Sequence, residues 1–142
     1  MTRLFAMVAV AMVAVAVSAV AQETPAAKAA KALNGNYTVK DVNFDGQAGP
    51  AEIVKAITGV EIKDGTITVQ SAKKDDPAKF VVDATQNPAT IDITAKAGDK
   101  AKPGLYKVEK DELTIVFSDK GVRPIDFSTG EGVRKLVLLK KK

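Results

Sequence analysis

The sequence contains no cysteine, no histidine and no tryptophan. Without cysteine and histidine, the chain can form no disulfide, thiol nucleophile or Ser-His-Asp triad, and no zinc site or haem ligation that uses those side chains. General acid–base catalysis would have to rest on Asp, Glu, Lys or Tyr. The sequence gives no reason to assign a catalytic residue among these types, so we expect a protein that is not an enzyme.

The chain also lacks a basic region, although its formal net charge is +4. Of the 21 lysines and arginines, Arg3 and Lys140, Lys141 and Lys142 account for four, and the remaining 17 balance the 17 acidic residues. Basic and acidic residues alternate without an arginine cluster or interleaved aromatic residues, so we expect no nucleic-acid partner. The lysine tail is predicted to be a solvated end, with weak attraction to an anionic surface as the alternative.

Only the N-terminus has a long apolar run. Arg3 precedes apolar residues 4–17, and an Ala-x-Ala sequence ends at Ala21. This arrangement predicts a secretory signal peptide over residues 1–21, and therefore export to the periplasm, the cell surface or the medium. An uncleaved anchor is the alternative, but the run consists mainly of Ala and Val and has no basic residues directly behind it. After cleavage we expect no stable membrane span.

Two short helices are predicted near the start of the remaining chain. Thr24 and Pro25 provide an N-cap and a proline at the first helical position, so residues 22–33 are interpreted as a short helix and linker. A second helix is predicted over residues 50–57, between Pro50 and Gly59. The domain itself is predicted to occupy residues 34–142, as a single unit.

The rest of the domain has the period-two alternation of β-strands separated by turns. Asp64-Gly65 is typical of a tight hairpin turn. Strands are predicted around residues 36–40, 60–62, 67–69, 80–83, 91–94, 106–108, 113–117 and 133–139. About eight sequential strands without crossover helices indicate a mainly β fold, an antiparallel up-and-down barrel, with a sandwich as the alternative.

Six residues are candidates to line a ligand site. Four aromatic residues are predicted to point inward, and two more candidates lie in the long irregular segment 121–132: Tyr37, Phe80, Tyr106, Phe117, Arg123 and Phe127. Arg123 and Phe127 either pack the segment in place or line the ligand mouth. Arg134 is the only other arginine after the signal segment, which suggests a bidentate or stacking role for each. The Val- and Ile-rich interior leaves two options, a modest apolar cavity or a filled core.

One segment matches a calcium-binding pattern. Asp41, Asn43 and Asp45 alternate before Gly46, and Glu52 stands at position twelve. The residues before Asp41 are typical of a strand rather than an entering helix, and no second loop is present. We therefore expect a polar strand-to-helix loop and no metal cofactor, with calcium binding as the alternative.

Three segments resemble a family of uncharacterised secreted lipocalin-like domains that is abundant in planctomycete bacteria. They are residues 35–37 (Gly-Asn-Tyr), 104–109 (Gly-Leu-Tyr-Lys-Val-Glu) and 123–128 (Arg-Pro-Ile-Asp-Phe-Ser), followed by a leucine-rich last strand. The resemblance covers residues 33–140 and implies a calycin-type barrel closed by that strand. Tyr37 takes the place of the tryptophan in the family's Gly-x-Trp signature. Members have a loosely acidic loop where Asp41 to Gly46 stands, which agrees with a polar turn.

These observations favour an exported lipocalin-like domain that binds a small apolar molecule. Two alternatives are a structural or protein-interaction module of the cell envelope with a filled core, and a calcium-stabilised module. The protein partner of such a module is not indicated by the sequence.

Overall fold

The computed structural model describes residues 24–72 and 74–142. The helices are α1 (Pro25–Ala32) and α2 (Ala51–Ala56). The strands are β1 (Gly35–Phe44), β2 (Gln47–Ala48), β3 (Ile57–Lys63), β4 (Thr66–Ser71), β5 (Asp76–Asp83), β6 (Thr90–Thr94), β7 (Lys102–Glu109), β8 (Glu112–Ser118) and β9 (Val133–Lys140). The predicted signal peptide lies outside the described residues. Neither of these two helices is long and apolar enough to cross a membrane.

The strands form a closed antiparallel barrel of eight strands, which confirms the predicted fold class. β1 pairs with β3, each strand from β3 to β9 pairs with the next, and β9 returns to pair with β1. β2 extends only the end of β1 and is not a barrel wall. Closure satisfies the backbone hydrogen-bonding groups that an open sheet leaves at its edges.

The Asp64-Gly65 hairpin forms as predicted. Lys63 pairs with Thr66 across a two-residue turn in which Asp64 has φ 47° and Gly65 has φ 80°. Both central residues of a type I′ turn need positive φ, and this turn matches the twist of the two strands that it joins.

Strand β1 is longer than predicted, and the expected loop is wrong for residues 41–44, whereas residues 45 and 46 form a turn. A bulge at Lys40 shifts the register, after which Asp41 pairs with Val137 and the ladder continues to Phe44 opposite Arg134. Asp41 and Asn43 therefore belong to a strand. The polar segment is stable as a strand because β9 supplies its backbone partners and only every second side chain faces inward.

The core occupies the middle of the barrel and the end that α1 covers. Ala29, Ala30 and Leu33 pack against the buried cluster, and Leu33, directly after α1, is only 2% exposed. The buried side chains of the strands include Val60, Ile62, Val82, Ile91, Leu113, Ile115 and Leu138. Helix α1 thus closes one end of the barrel. At the other end, the segment that leads into α2 packs on inward side chains of β1, since Gly49 lies against Val42 and Phe44.

Candidate functional site

A cavity of about 310 Å³ lies inside the barrel at the end away from α1. Its apolar wall consists of side chains from β4, β6, β8 and β9, namely Ile67, Val69, Ile93, Ile115, Phe117 and Leu136. Strand alternation places these residues on the inner face, as the cross-strand pairs Ile115–Leu136 and Ile67–Ala78 illustrate. The cavity therefore lies inside the barrel and is not a groove on its outer surface. We call this end of the barrel the mouth.

Small side chains account for part of the space. Ala78 on β5 and Ala95, one residue beyond β6, line the cavity where larger inward residues would fill a barrel of this size. Phe80, the next inward residue after Ala78 on β5, is 5% exposed and belongs to the packed core. The cavity therefore begins where the inward residues become small.

Charged side chains surround the mouth. Lys102 on β7 pairs opposite Ile93, and Arg134 on β9 pairs opposite both Phe117 and Phe44. These pairings place Lys102 and Arg134 on the inner face of the barrel, and both line the cavity. The two cations therefore lie on the inner face at the rim, where their side chains remain 38% and 45% exposed.

Asp119, directly after β8, bridges the two cations. Lys102 Nζ lies 2.6 Å from Asp119 Oδ1, and Arg134 Nε donates to Asp119 Oδ2 at 2.5 Å. Burial raises the pKa of the Asp119 carboxyl, but the hydrogen bonds from Lys102 and Arg134 and their charges outweigh burial and lower the pKa below its usual value. Asp119 is thus an anion at neutral pH, and this wall of the mouth has two positive charges and one negative charge.

Asp76 supplies a negative charge on another wall. It lies on β5, which is four strands away from β9 in either direction around the barrel, and it lines the same cavity. Its pairing with inward Val69 places it on the inner face. The mouth therefore has an excess of positive charge on the β7–β9 side and a carboxylate on the opposite side.

Of the four aromatic candidates, only Phe117 lines the cavity. Tyr37, Phe80 and Tyr106 are 3%, 5% and 7% exposed and belong to the packed core nearer α1. The inward orientation predicted for them agrees with the structure. Inward orientation alone does not distinguish a residue that fills the core from one that lines a cavity.

Tyr37 has a structural contact of its own. Its hydroxyl donates a hydrogen bond of 2.7 Å to the backbone oxygen of Leu33. Burial raises the pKa of Tyr37, and burial followed by the negative charge of Asp83 raises the pKa of Tyr106. Both side chains are neutral at ordinary pH.

Arg123 and Phe127 lie on the outside of the barrel, within the loop over residues 119–132. Arg123 Nη1 donates to the Gly104 oxygen and Nη2 to Asp92 Oδ1, each at 2.8 Å. The Phe127 ring lies 4.9 Å from Lys107 Nζ. Neither residue lines the cavity at the mouth. The contacts agree with the interpretation in which Arg123 packs the loop in place.

The residues of the calcium pattern do not converge. Asp41 and Asn43 point outward from β1, Asp45 Oδ1 accepts a hydrogen bond of 2.7 Å from the Gly132 N–H, and Glu52 is exposed on α2. Asn43 Oδ1 is buried and has no hydrogen-bond partner among residues 24–72 and 74–142. The same part of the chain holds no group of three or more acidic, histidine or cysteine residues that could bind a metal.

Sequence reasoning missed Lys102, Asp119 and Asp76. The inward orientation of Lys102 could have been predicted. Lys102 lies two residues before Gly104 and four before Tyr106 on β7, and every second residue of a strand lies on the same face. Arg134 was singled out by its rarity, and its parity with Leu136 also indicates the inner face. The position of Asp119 depends on two strands that meet only in the folded barrel, and no sequence signal predicts that.

A second depression lies at the end of the barrel that α1 covers. It is a wider groove of about 530 Å³ between α1 and β5, lined in part by Ala26, Ala30 and Val81. Val81 is 66% exposed, so the groove is open to solvent. The cavity at the mouth is smaller but more enclosed, and enclosure is what lets a site bury most of a ligand.

In comparisons with known proteins, no protein-family model matches the chain, and neither a curated protein nor a solved structure matches it.

Proposed function

We propose that this protein is an exported lipocalin-like domain that binds a small apolar molecule inside the mouth of its barrel. The observation that carries the proposal is the cavity of about 310 Å³ with its apolar wall. Export and kinship with the planctomycete domains are predictions from the sequence that belong to the same proposal. No family match contributes to it.

The size of the cavity limits the ligand. A water molecule occupies about 30 Å³ in the liquid, so the cavity has room for roughly ten water-sized groups. This volume lies near the lower end of small-molecule pockets, about 300–1,000 Å³. A chain or ring system of about ten heavy atoms fits this space, and apolar contact with the wall favours its transfer from water by about 25 cal/mol per Å² buried.

The test is a titration of the purified protein with decan-1-ol, a neutral ligand of this size, followed by calorimetry. We expect saturable one-to-one binding with a negative heat-capacity change. The variant Ala78→Phe places a ring in the cavity and is expected to abolish binding. Val81→Phe adds a ring to the outer face of the same strand, where the native side chain is exposed, and is expected to leave binding unchanged. Absence of saturable binding by the folded protein would overturn the proposal.

Native mass spectrometry of the protein from its own host separates the alternatives. An added mass of a few hundred daltons that is lost on denaturation supports a carrier. The mass of one calcium ion that a chelator removes supports the calcium-stabilised module. A bare polypeptide, together with a failed titration, favours an interaction module, for which exposed Val122 and Ile125 on the 119–132 loop offer an apolar contact.

A further inference from the structure

Arg134 is an unusual residue for the inside of a small barrel. Its neighbours on the inner face are Phe44 and Phe117 across the strand pairs and Leu136 along β9. Its guanidinium carbon lies 5.3 Å from the Phe44 ring centre, so the aromatic face supports the planar group. The Arg134 side chain is 45% exposed, so its charge lies at the rim, where it places a polar group beside the apolar wall of the cavity.

Asp119 satisfies only part of this guanidinium. The pair uses Nε of Arg134, while the two terminal nitrogens have no hydrogen-bond partner among the described residues. A guanidinium presents its donors as a planar fork that fits a carboxylate with two parallel hydrogen bonds. Lys102 adds a second cation near the Phe117 ring, at 6.0 Å from its centre. The β7–β9 side of the mouth thus offers unused donors and one excess positive charge.

The rest of the mouth restricts the charge and placement of a ligand. Asp76 on the opposite wall repels an anion placed near β5, and the repulsion of a dianion is about twice that of a monoanion. Below the rim the wall is apolar, so only one end of a bound molecule meets charged groups. The site therefore fits a molecule with an apolar body and a single negative charge at one end.

We infer that the ligand is an amphiphile with one carboxylate, which lies against the terminal nitrogens of Arg134 with Lys102 beside it, while its apolar chain fills the cavity. This inference rests on the proposed function, because the chain occupies the same cavity. It adds the chemistry of the head group. Asp119 pairs with the same two cations through Arg134 Nε and Lys102 Nζ, and its negative charge opposes that of the head group.

The first experiment compares ligands of equal chain length at neutral pH by calorimetry: decanoate, decyl phosphate, decan-1-ol and decylamine. Decanoate is expected to bind about ten- to a hundredfold more tightly than decan-1-ol, the range for a hydrogen bond to a charged group. Decylamine is expected to bind most weakly. Decyl phosphate is close to a dianion at this pH and is expected to bind less tightly than decanoate.

The outcomes distinguish the two proposals. Equal affinity for decanoate and decan-1-ol overturns the carboxylate site and leaves the apolar carrier intact. Tighter binding of decyl phosphate overturns the carboxylate assignment in favour of a phosphate ester. Failure of decan-1-ol and decanoate alike to bind the folded protein overturns both proposals.

The second experiment uses variants at the rim. Arg134→Gln is expected to lower the affinity for decanoate to about the affinity for decan-1-ol measured on the same variant. Lys135→Gln removes the same charge from the next residue of β9, which faces outward, and is the matched control with no change expected. Equal losses of decanoate binding in these two variants would count against a specific role for Arg134.

Asp119→Asn keeps the test decisive if Arg134→Gln fails to fold. The substitution removes the opposing negative charge and leaves both cations at the mouth. Decanoate is then expected to bind about tenfold more tightly than to the unmodified protein, since the negative charge of Asp119 no longer opposes the head group beside the two cations. Unchanged or weaker decanoate binding would overturn the inference.

Discussion

Tyr37 connects the closed end of the barrel to helix α1 through one buried hydrogen bond. The last carbonyl groups of a helix have no partner within the helix and need one elsewhere. Tyr37 provides it for Leu33, whose side chain is itself buried in the core. Tyr37 therefore fills the core with its ring and also fixes the end of α1 with its hydroxyl. The spacing of residues 33–37 alone does not predict this second role.

Replacing Tyr37 by Phe is expected to destabilise the protein by about 1 kcal/mol, and by up to about 3 kcal/mol if the Leu33 carbonyl finds no new partner. Tyr106→Phe is the matched control. It removes a hydroxyl from another core tyrosine that makes no hydrogen bond among the described residues, and it is expected to cost less. Urea denaturation measures both free energies of unfolding. Equal effects of the two substitutions would contradict a specific role for the Tyr37 hydroxyl.

Stability is expected to fall at alkaline pH because burial raises the pKa of both Tyr37 and Tyr106 above the unfolded value of 10.0. The neutral phenol is favoured in the fold, so its contribution is fully present below pH 10.0 and is lost as the pH rises through the folded pKa values. Urea denaturation as a function of pH measures this loss. In the double variant Tyr37→Phe/Tyr106→Phe the loss is expected to be smaller; an unchanged pH dependence would show that other groups cause it.

At the scale of elements, the local features were predictable and the distant ones were not. The Asp64-Gly65 turn is determined by two adjacent residues, and the hairpin follows from it. The second half of β1 looked like a loop because Asp41 and Asn43 are polar, and its partner strand β9 is more than 90 residues away. The cavity depends on Ala78 lying opposite larger residues, which no local pattern encodes.

The 119–132 loop is held against the barrel by Arg123, which bonds to Asp92 on β6 and to the Gly104 backbone on β7. Gly104 also allows β7 to approach β8 closely, since a Cβ at this position would lie 2.3 Å from the Val116 oxygen. Leu105 and Val116, both buried, form a cross-strand pair on the outer face of β7 and β8, beside this contact. The loop thus extends the packing beyond the inside of the barrel.

Arg123→Gln is expected to loosen the loop without unfolding the barrel. Both partners of the Asp92 ion pair are more than a third exposed, so its loss costs at most about 1 kcal/mol. Hydrogen exchange of amides in residues 119–132 is expected to accelerate, while exchange in β7 and β8 stays slow. Lys120→Gln, which breaks the exposed pair with Glu131 in the same loop, is the control with little change expected. Equal acceleration in both variants would contradict anchoring by Arg123.

At the scale of the whole molecule, the alternating strands predicted a barrel, but its two ends differ in ways that only the structure reveals. One end holds α1, Leu33 and a packed core, and the other holds a cavity with charges at the rim. Leu138 and Arg134 both lie on the inner face of β9. Leu138 belongs to the packed core, whereas Arg134 lies at the mouth. Position along a strand therefore decides whether an inward residue belongs to the packed core or lines the cavity.

Closure of the barrel makes β9 essential to the entire fold, because it pairs with β8 on one side and with β1 on the other. Its Leu138 is completely buried in the core. A chain that ends at residue 132 is expected to lose its cooperative thermal transition in circular dichroism. It is also expected to associate in size-exclusion chromatography, since β1 and β8 become unpaired edges. A chain that lacks only Lys142 is the control and should melt like the intact protein. A cooperative, monomeric truncated chain would mean that the first seven barrel strands are stable as an open sheet, and that closure by β9 is not what maintains the cavity.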